Sequence, residues 1–147
     1  MDIVPITIEH ADAYMSILKR TTAEERYLRF FAVSNYFTLA STAAYVTPAP
    51  GMTGLIAFQG TTPLGVAHAF VDEDKIAEMS VLVAHDSRRQ GVGRALITHL
   101  LALFGEHRIV ANVLTQNTPM RNLAREMGFR IVGSPASIIT MVKDAPH

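Results

Sequence analysis

Two glycines and three arginines stand together in the segment 88-RRQGVGR-94, directly before an apolar run with helical spacing. Gly91 and Gly93 have no side chain, so the main chain could approach a ligand closely there. The free amides of a helix N-terminus and its partial positive charge favour a bound anion. The arginines would add full charges at the same point. The segment therefore predicts a phosphate or pyrophosphate site.

The two commoner phosphate-binding loops do not fit this segment. A nucleotide-binding P-loop has a lysine after its last glycine, and a dinucleotide fold has G-x-G-x-x-G near the start of a parallel βαβ unit. Neither pattern is present around 88–93. A plain glycine-containing helix start with solvated arginines does fit the string alone. The position of the segment between a buried strand, which ends near Val83, and an amphipathic helix favours the anion site.

The composition is that of a globular domain, and we predict a single domain over 1–147. Of the 147 residues, 49% are hydrophobic and 18% charged, and 13 Lys and Arg balance 13 Asp and Glu. Such a balance provides no overall field for nucleic acid or an anionic membrane. With no cysteine, thiolate catalysis and disulfides are excluded. Because we find no signal peptide and no apolar run of the ~20 residues that span a bilayer, we expect a cytoplasmic protein.

The hydrophobic pattern predicts an α+β protein, an α/β/α sandwich with a mixed central sheet and helices on both faces. Thr21 and Thr22 each stand three residues before a glutamate, which is the pattern of a capping box. Three strand-like runs separated by turns indicate an antiparallel meander. The predicted strands are 3–9, 53–60, 64–72, 76–84, 108–115, 129–133 and 136–142, and the predicted helices are 9–19, 21–31, 36–46, 91–105 and 118–127.

The segments 81-VLVAHDSRRQGVGRALITHLL-101 and 117-NTPMRNLAREMGF-129 resemble the acyl-CoA-binding half of the GNAT acyltransferases. The resemblance implies the GNAT acyl-CoA N-acyltransferase fold, with acetyl-CoA as co-substrate and no metal. It also implies that the loop wraps the CoA pyrophosphate, that the preceding strand offers main-chain groups to pantetheine at a splay, and that Gly128 and Phe129 close the last helix. The implied CoA-binding residues are Val81, Leu82, Val83, Arg88, Arg89, Gln90, Gly91, Val92, Gly93, Arg94 and Asn117.

A narrower resemblance involves 24-EERYLRFF-31 and 77-AEMSVLV-83. These pieces are similar to the GNAT domain of bacterial Pat-type protein lysine acetyltransferases. There the helix lies on the acceptor side and an acidic residue of the central strand acts as base. The resemblance places that base at Glu78.

The chemistry agrees with this assignment. An amine must lose a proton to attack a thioester, so a general base is needed. Strand alternation places Glu78, Ser80 and Leu82 on one face. Buried among apolar neighbours, the carboxylate would take up a proton more readily, which suits a base working near neutral pH. The alternative is a salt-bridged or solvent-exposed glutamate.

The usual general acid of the family is in doubt in this chain. Many GNAT enzymes have a tyrosine in the helix predicted at 118–127, and the matching residue here is Ala124. The CoA thiolate could leave without a dedicated donor, or another group could donate. Tyr27 and Tyr45 are candidates without support from their positions.

The histidines indicate no metal site, because none of them shows ligand spacing. His68 could line an acceptor cleft or share the role of base. It is also compatible with an ordinary hydrogen-bonded strand histidine.

Two functions are compatible with the sequence. One is an N-acetyltransferase that moves acetyl to a primary amine, on a protein lysine or a small molecule, by direct attack with Glu78 as base. The other is a non-catalytic acyl-CoA-binding module that acts as a sensor or partner subunit. Exposed strand edges would allow a homodimer, and nucleic acid and membranes are not expected as partners.

Overall fold

One mixed sheet of seven strands forms the centre of the protein. A computed structural model of the chain describes residues 1–21, 43, 45–87, 91–133 and 137–146. The strands are β1 (Asp2–Pro5), β2 (Met52–Gln59), β3 (Thr62–Val71), β4 (Ile76–Val83), β5 (Arg108–Leu114), β6 (Arg130–Val132) and β7 (Ile138–Lys143). Their order across the sheet is β1-β2-β3-β4-β5-β7-β6. Neighbours are antiparallel except for β4 and β5, which are parallel.

The described helices are α1 (Ala11–Lys19), α2 (Val92–Phe104) and α3 (Thr118–Glu126), with short 3-10 turns at Ile8–His10 and His85–Ser87. These helices and the seven strands confirm the predicted elements to within a few residues at each end. The first strand is shorter than predicted because Thr7 caps the 3-10 turn, accepting a hydrogen bond from the Glu9 amide at 3.3 Å. The helix predicted at 21–31 and most of that at 36–46 lie outside the described residues.

The two faces of the sheet bury different side chains, as strand alternation requires. On one face, α1 contributes Tyr14, Ile17 and Leu18 to a cluster with Leu82 of β4. On the other face, α2 and α3 cover a larger cluster that includes Leu96, Ile97, Leu100, Met79, Ala111, Ala124 and Met141. The prediction of helices on both faces is therefore confirmed. In the described part of the chain, no helix has the length and apolar character needed to span a membrane.

Helix α3 begins and ends as its sequence predicts. Asn117 is the N-cap, and its side-chain oxygen accepts a hydrogen bond from the Met120 amide at 3.3 Å. At the other end Gly128 has φ +99°, a conformation that favours glycine. Phe129 then turns into the core, where it is 3% exposed. The predicted Gly-Phe closure of the helix is confirmed.

Candidate functional site

Strands β4 and β5 separate halfway along their length. They are paired from Ile76 opposite Arg108 to Met79 opposite Ala111. After that point β5 continues to pair with β7, and β4 continues to pair with β3 as far as Val83. The close approach of β3 to β4 depends on Gly65, where an added Cβ would lie 2.8 Å from the Leu82 carbonyl oxygen. The result is an open fork between two parallel strands.

The fork widens into a cavity of about 650 Å³. One wall is the half of β4 that no longer pairs with β5, and the opposite wall is β5 itself. The first turns of α2 and α3 close the end. The lining residues are Glu78, Met79, Ser80, Val81, Leu82, Val83, His85, Ser87, Gly91, Val92, Gly93, Arg94, Ala111, Asn112, Val113, Asn117, Pro119, Met120 and Leu123. This volume lies within the range of small-molecule sites. All described members of the predicted CoA-binding set are therefore brought together in one cavity.

The N-terminus of α2 opens onto this cavity. Gly91 is its N-cap with φ +75°, in the left-handed region that favours glycine. The first intrahelical bond runs from the Ala95 amide to the Gly91 carbonyl at 3.0 Å. The amides of residues 92–94 have no acceptor within the helix, and no described residue accepts a main-chain bond from them, so they could donate to an anion. Residues 88–90, which include Arg88, Arg89 and Gln90, lie outside the described residues.

Arg94 is paired rather than free. Its Nη2 donates to the Glu126 carboxylate on α3, and the two side chains are 56% and 59% exposed. An exposed ion pair of this kind contributes little to stability. Arg94 also lines the cavity, so an anion bound there could compete with Glu126 for its guanidinium.

Asn117 has a structural role that the sequence did not assign to it. Its Oδ1 caps α3 through the Met120 amide, while the residue also lines the cavity. Because the cap uses Oδ1, the Nδ2 amide is the group left to donate to a ligand.

Glu78 lies at the point where the fork opens, opposite Phe70 of β3 and one residue before the last β4–β5 pair. The expectation that it is buried among apolar neighbours was wrong, because the side chain is exposed and lines the cavity. Helix α1 covers the other end of this face, around Leu82, which leaves the Glu78 end open. Among the described residues, nothing forms an ion pair or hydrogen bond with the carboxylate. The carboxylate is therefore open to contact with a molecule in the cavity.

Ser80 and His68 are opposite each other on β4 and β3. His68 is fully buried, and its Nε2 lies 2.7 Å from the Tyr45 carbonyl oxygen. It is absent from the cavity lining, which favours the hydrogen-bonded strand histidine over a catalytic one. Ser80 Oγ is buried without a hydrogen-bond partner in the described part of the chain. Such a hydroxyl is destabilising unless water or a ligand completes its hydrogen bonds.

The residue at the usual acid position cannot donate a proton. Ala124 lies on the inner face of α3, is 2% exposed and packs into the core. Tyr45 packs with its ring 5.4 Å from that of His68, on the α1 side of the sheet, and it is absent from the cavity lining. Tyr27 lies outside the described residues.

Asn112 is a cavity residue that was not predicted from the sequence. Its Oδ1 accepts a hydrogen bond of 3.0 Å from Thr140 Oγ1 on β7, and it faces the cavity from β5. A polar residue in the middle of the apolar run 108-RIVANVL-114 was the available signal. Within the described ranges, no group of three His, Asp or Glu side chains could hold a metal ion.

Solved structures share this fold along nearly their whole length. The GNAT domain of S. lividans PAT superposes with a TM-score of 0.82 at 23% identity, covering 97% of this chain and 89% of that one. The ribosomal-protein-S18-alanine N-acetyltransferase of Escherichia coli gives 0.76 at 19% identity, with 99% and 94% covered. The PaiA N-acetyltransferase of Thermoplasma acidophilum, solved in complex with coenzyme A, gives 0.73 at 14% identity, with 98% and 99% covered. At these identities the likeness establishes the fold.

The sequence establishes the family. Residues 13–129 match the model of the acetyltransferase (GNAT) family, a span that includes most of α1, the fork and both helices at the cavity. The resemblance carried by the loop and by α3 is therefore confirmed. The chain belongs to the GNAT acetyltransferase family and is an acyltransferase.

Proposed function

We propose that the protein transfers the acetyl group of acetyl-CoA to a primary amine, on a protein lysine or a small molecule. The observation that supports this most is the meeting of the strand fork and the α2 N-terminus in one cavity. Along Val81–Val83, the edge of β4 that faces away from β3 has lost its pairing with β5, and its main-chain groups offer hydrogen bonds to the amides of a pantetheine arm. The amides at 92–94 and the Arg94 guanidinium offer donors to the pyrophosphate.

Glu78 is the general base of this proposal. The acceptor amine loses a proton to the Glu78 carboxylate, directly or through a water, and its nitrogen attacks the thioester carbonyl carbon. The nitrogen of the tetrahedral intermediate gives up its second proton to solvent, the intermediate collapses, the carbon–sulfur bond breaks, and CoA leaves as a thiolate that takes a proton from solvent. The position of Glu78 in the cavity lining, where the fork opens, supports this role.

No protein group is needed to protonate the leaving sulfur. A thiol has an ordinary pKa of about 8.5, so a thiolate is a far better leaving group than an amide nitrogen. Ala124 at the usual acid position is compatible with this route.

A panel of amines tests the proposal. The acceptors are a peptide with an internal lysine, a peptide that begins with alanine and a diamine, and release of the CoA thiol is followed with a thiol reagent. We expect turnover with at least one acceptor. In Glu78→Gln we expect kcat to fall about 100-fold or more, while the Kd for acetyl-CoA stays within a factor of two. Unchanged turnover in Glu78→Gln would remove Glu78 from the mechanism.

One observation favours the alternative of a binding module without turnover, namely the alanine at position 124. The same panel decides between the two. A protein that binds acetyl-CoA with micromolar affinity and acetylates none of the amines would support the binding module.

A further inference from the structure

Arg20, the residue that follows α1, holds the turn that leads out of β4. Its Nε donates to Asp86 Oδ1 at 3.1 Å, and its Nη2 donates to the same oxygen at 2.9 Å. Nη2 also donates to Ser87 Oγ at 3.2 Å. The other terminal nitrogen, Nη1, donates to Pro63 O at 2.8 Å and Ser16 Oγ at 3.2 Å. One guanidinium therefore connects α1, the start of β3 and the 85–87 turn.

The main chain makes a second connection at the same place. The His85 amide donates to the Arg20 carbonyl oxygen at 2.7 Å. The Ala84 amide donates to the Leu64 carbonyl at 2.9 Å, and the Ser87 amide donates to the Ala84 carbonyl at 2.9 Å. Both ends of Arg20, side chain and carbonyl, are thus used to fix the turn.

This turn is part of the cavity wall. His85 and Ser87 line the cavity, and so does Gly91, the N-cap of α2, four residues after Ser87. Only three residues separate the turn from Gly91 along the chain, so a displacement of the turn would be transmitted to the N-terminus of α2. Arg20 itself is absent from the cavity lining, and its charge is paired with Asp86.

We infer that Arg20 is a positioning residue for the pyrophosphate of the donor. The inference rests on the proposed function, because it takes the α2 N-terminus as the pyrophosphate site. Arg20 acts through the 85–87 turn and makes no contact with the donor. A lysine cannot replace it, because an ammonium is a point donor and cannot span Asp86, Ser87 and Pro63 as a planar fork does.

A comparison of two ligands tests this role. CoA has the pyrophosphate and the 3′-phosphoadenosine beyond it, and S-acetylpantetheine has the pantetheine arm without either. The dissociation constants of both ligands are measured for wild type, Arg20→Lys and Asp86→Asn by NMR titration. This method also detects millimolar affinities. Arg130→Ala is the matched control, because Arg130 also donates to a single aspartate, Asp144, at 3.1 Å, but at the far edge of the sheet.

We expect both Arg20→Lys and Asp86→Asn to weaken CoA about five- to tenfold while S-acetylpantetheine stays within a factor of two, and Arg130→Ala to change neither. Asp86→Asn leaves the main-chain bond of His85 intact, so it keeps the test valid if the Arg20 variant folds poorly. Equal weakening of both ligands would mean a general disturbance of the cavity and would overturn the inference. Unchanged CoA affinity in both variants would also overturn it. A wild type that binds neither ligand would instead contradict the proposed function.

Discussion

Gly93 in the first turn of α2 lies beside Leu123 of α3, so that a methyl group added to Gly93 would be 3.5 Å from Leu123 Cδ2. That is an ordinary van der Waals distance, and Gly93 is not among the glycines with positive φ. The fold therefore does not require a glycine at this position. The proposed function does, because the pyrophosphate has to approach the main chain there.

Gly93→Ala should separate stability from binding. We expect the free energy of unfolding to rise by about 0.5–1 kcal/mol, since alanine is favoured over glycine in a helix. We expect the Kd for CoA to rise about tenfold or more, because the methyl group would stand where the anion approaches the amides. Urea denaturation and calorimetry measure the two effects. Gly105→Ala, at the other end of α2, is the control, and CoA affinity equal to wild type in Gly93→Ala would contradict the pyrophosphate site.

Glu126→Gln should strengthen CoA binding. The substitution removes the partner of Arg94 and one negative charge near the anion site. Because exposed ion pairs are weak, we expect only a two- to threefold lower Kd, about 0.5 kcal/mol. The same substitution in an Arg94→Ala background should have no effect. A gain that persists without Arg94 would show that the charge acts by another route.

Asn117→Asp should preserve the cap of α3 and weaken CoA binding. Aspartate caps a helix as well as asparagine does, so the free energy of unfolding should stay within about 0.5 kcal/mol of wild type. The exchange replaces the Nδ2 donor by a negative oxygen, and we expect the Kd for CoA to rise about tenfold. Asn117→Ala, which loses the cap as well, should be about 1 kcal/mol less stable. If Asn117→Asp binds CoA as wild type does, Asn117 has only its capping role.

The connection between Arg20 and Asp86 should weaken in acid. Hydrogen bonds from Arg20 hold the pKa of Asp86 below its ordinary value of 3.8. A carboxylate with a lowered pKa stabilises the fold above its unfolded-state pKa, and this contribution is lost as the pH falls through the folded-state value. The difference in unfolding free energy between wild type and Asp86→Asn should thus be constant near neutral pH and shrink below about pH 4. A difference that stays constant into acid would mean that the charge of Asp86 is not what stabilises the turn.

The sequence predicts the elements of this fold well where the periodicity is strong. Leu96, Ile97 and Leu100 repeat at helical spacing, and all three are buried on the inner face of α2. The fork between β4 and β5 could not be derived from periodicity, because it arises where β5 pairs onward with β7 while β4 stays with β3. It was expected only through the resemblance to the GNAT acyltransferases.

The site was harder to predict than the fold, because its geometry depends on contacts between residues that are far apart along the chain. Alternation predicted which face Glu78 shares with Ser80, yet its exposure depends on how far α1 extends over that face. The partners Arg20 and Asp86 are 66 residues apart, so nothing in the local sequence around Arg20 indicated the contact. Pairings of this kind depend on the folded arrangement of α1 against β3 and β4.

Titration of acetyl-CoA into the protein by calorimetry tests the central claim, that the fork and the α2 N-terminus bind the donor. Arg94→Ala removes the guanidinium of a cavity-lining residue. Arg108→Ala removes a comparable exposed arginine, with a single aspartate 3.8 Å away, from the opposite end of β5. We predict micromolar binding that weakens about tenfold in Arg94→Ala and is unchanged in Arg108→Ala. No measurable binding by the wild type, or equal affinities in all three proteins, would contradict the account.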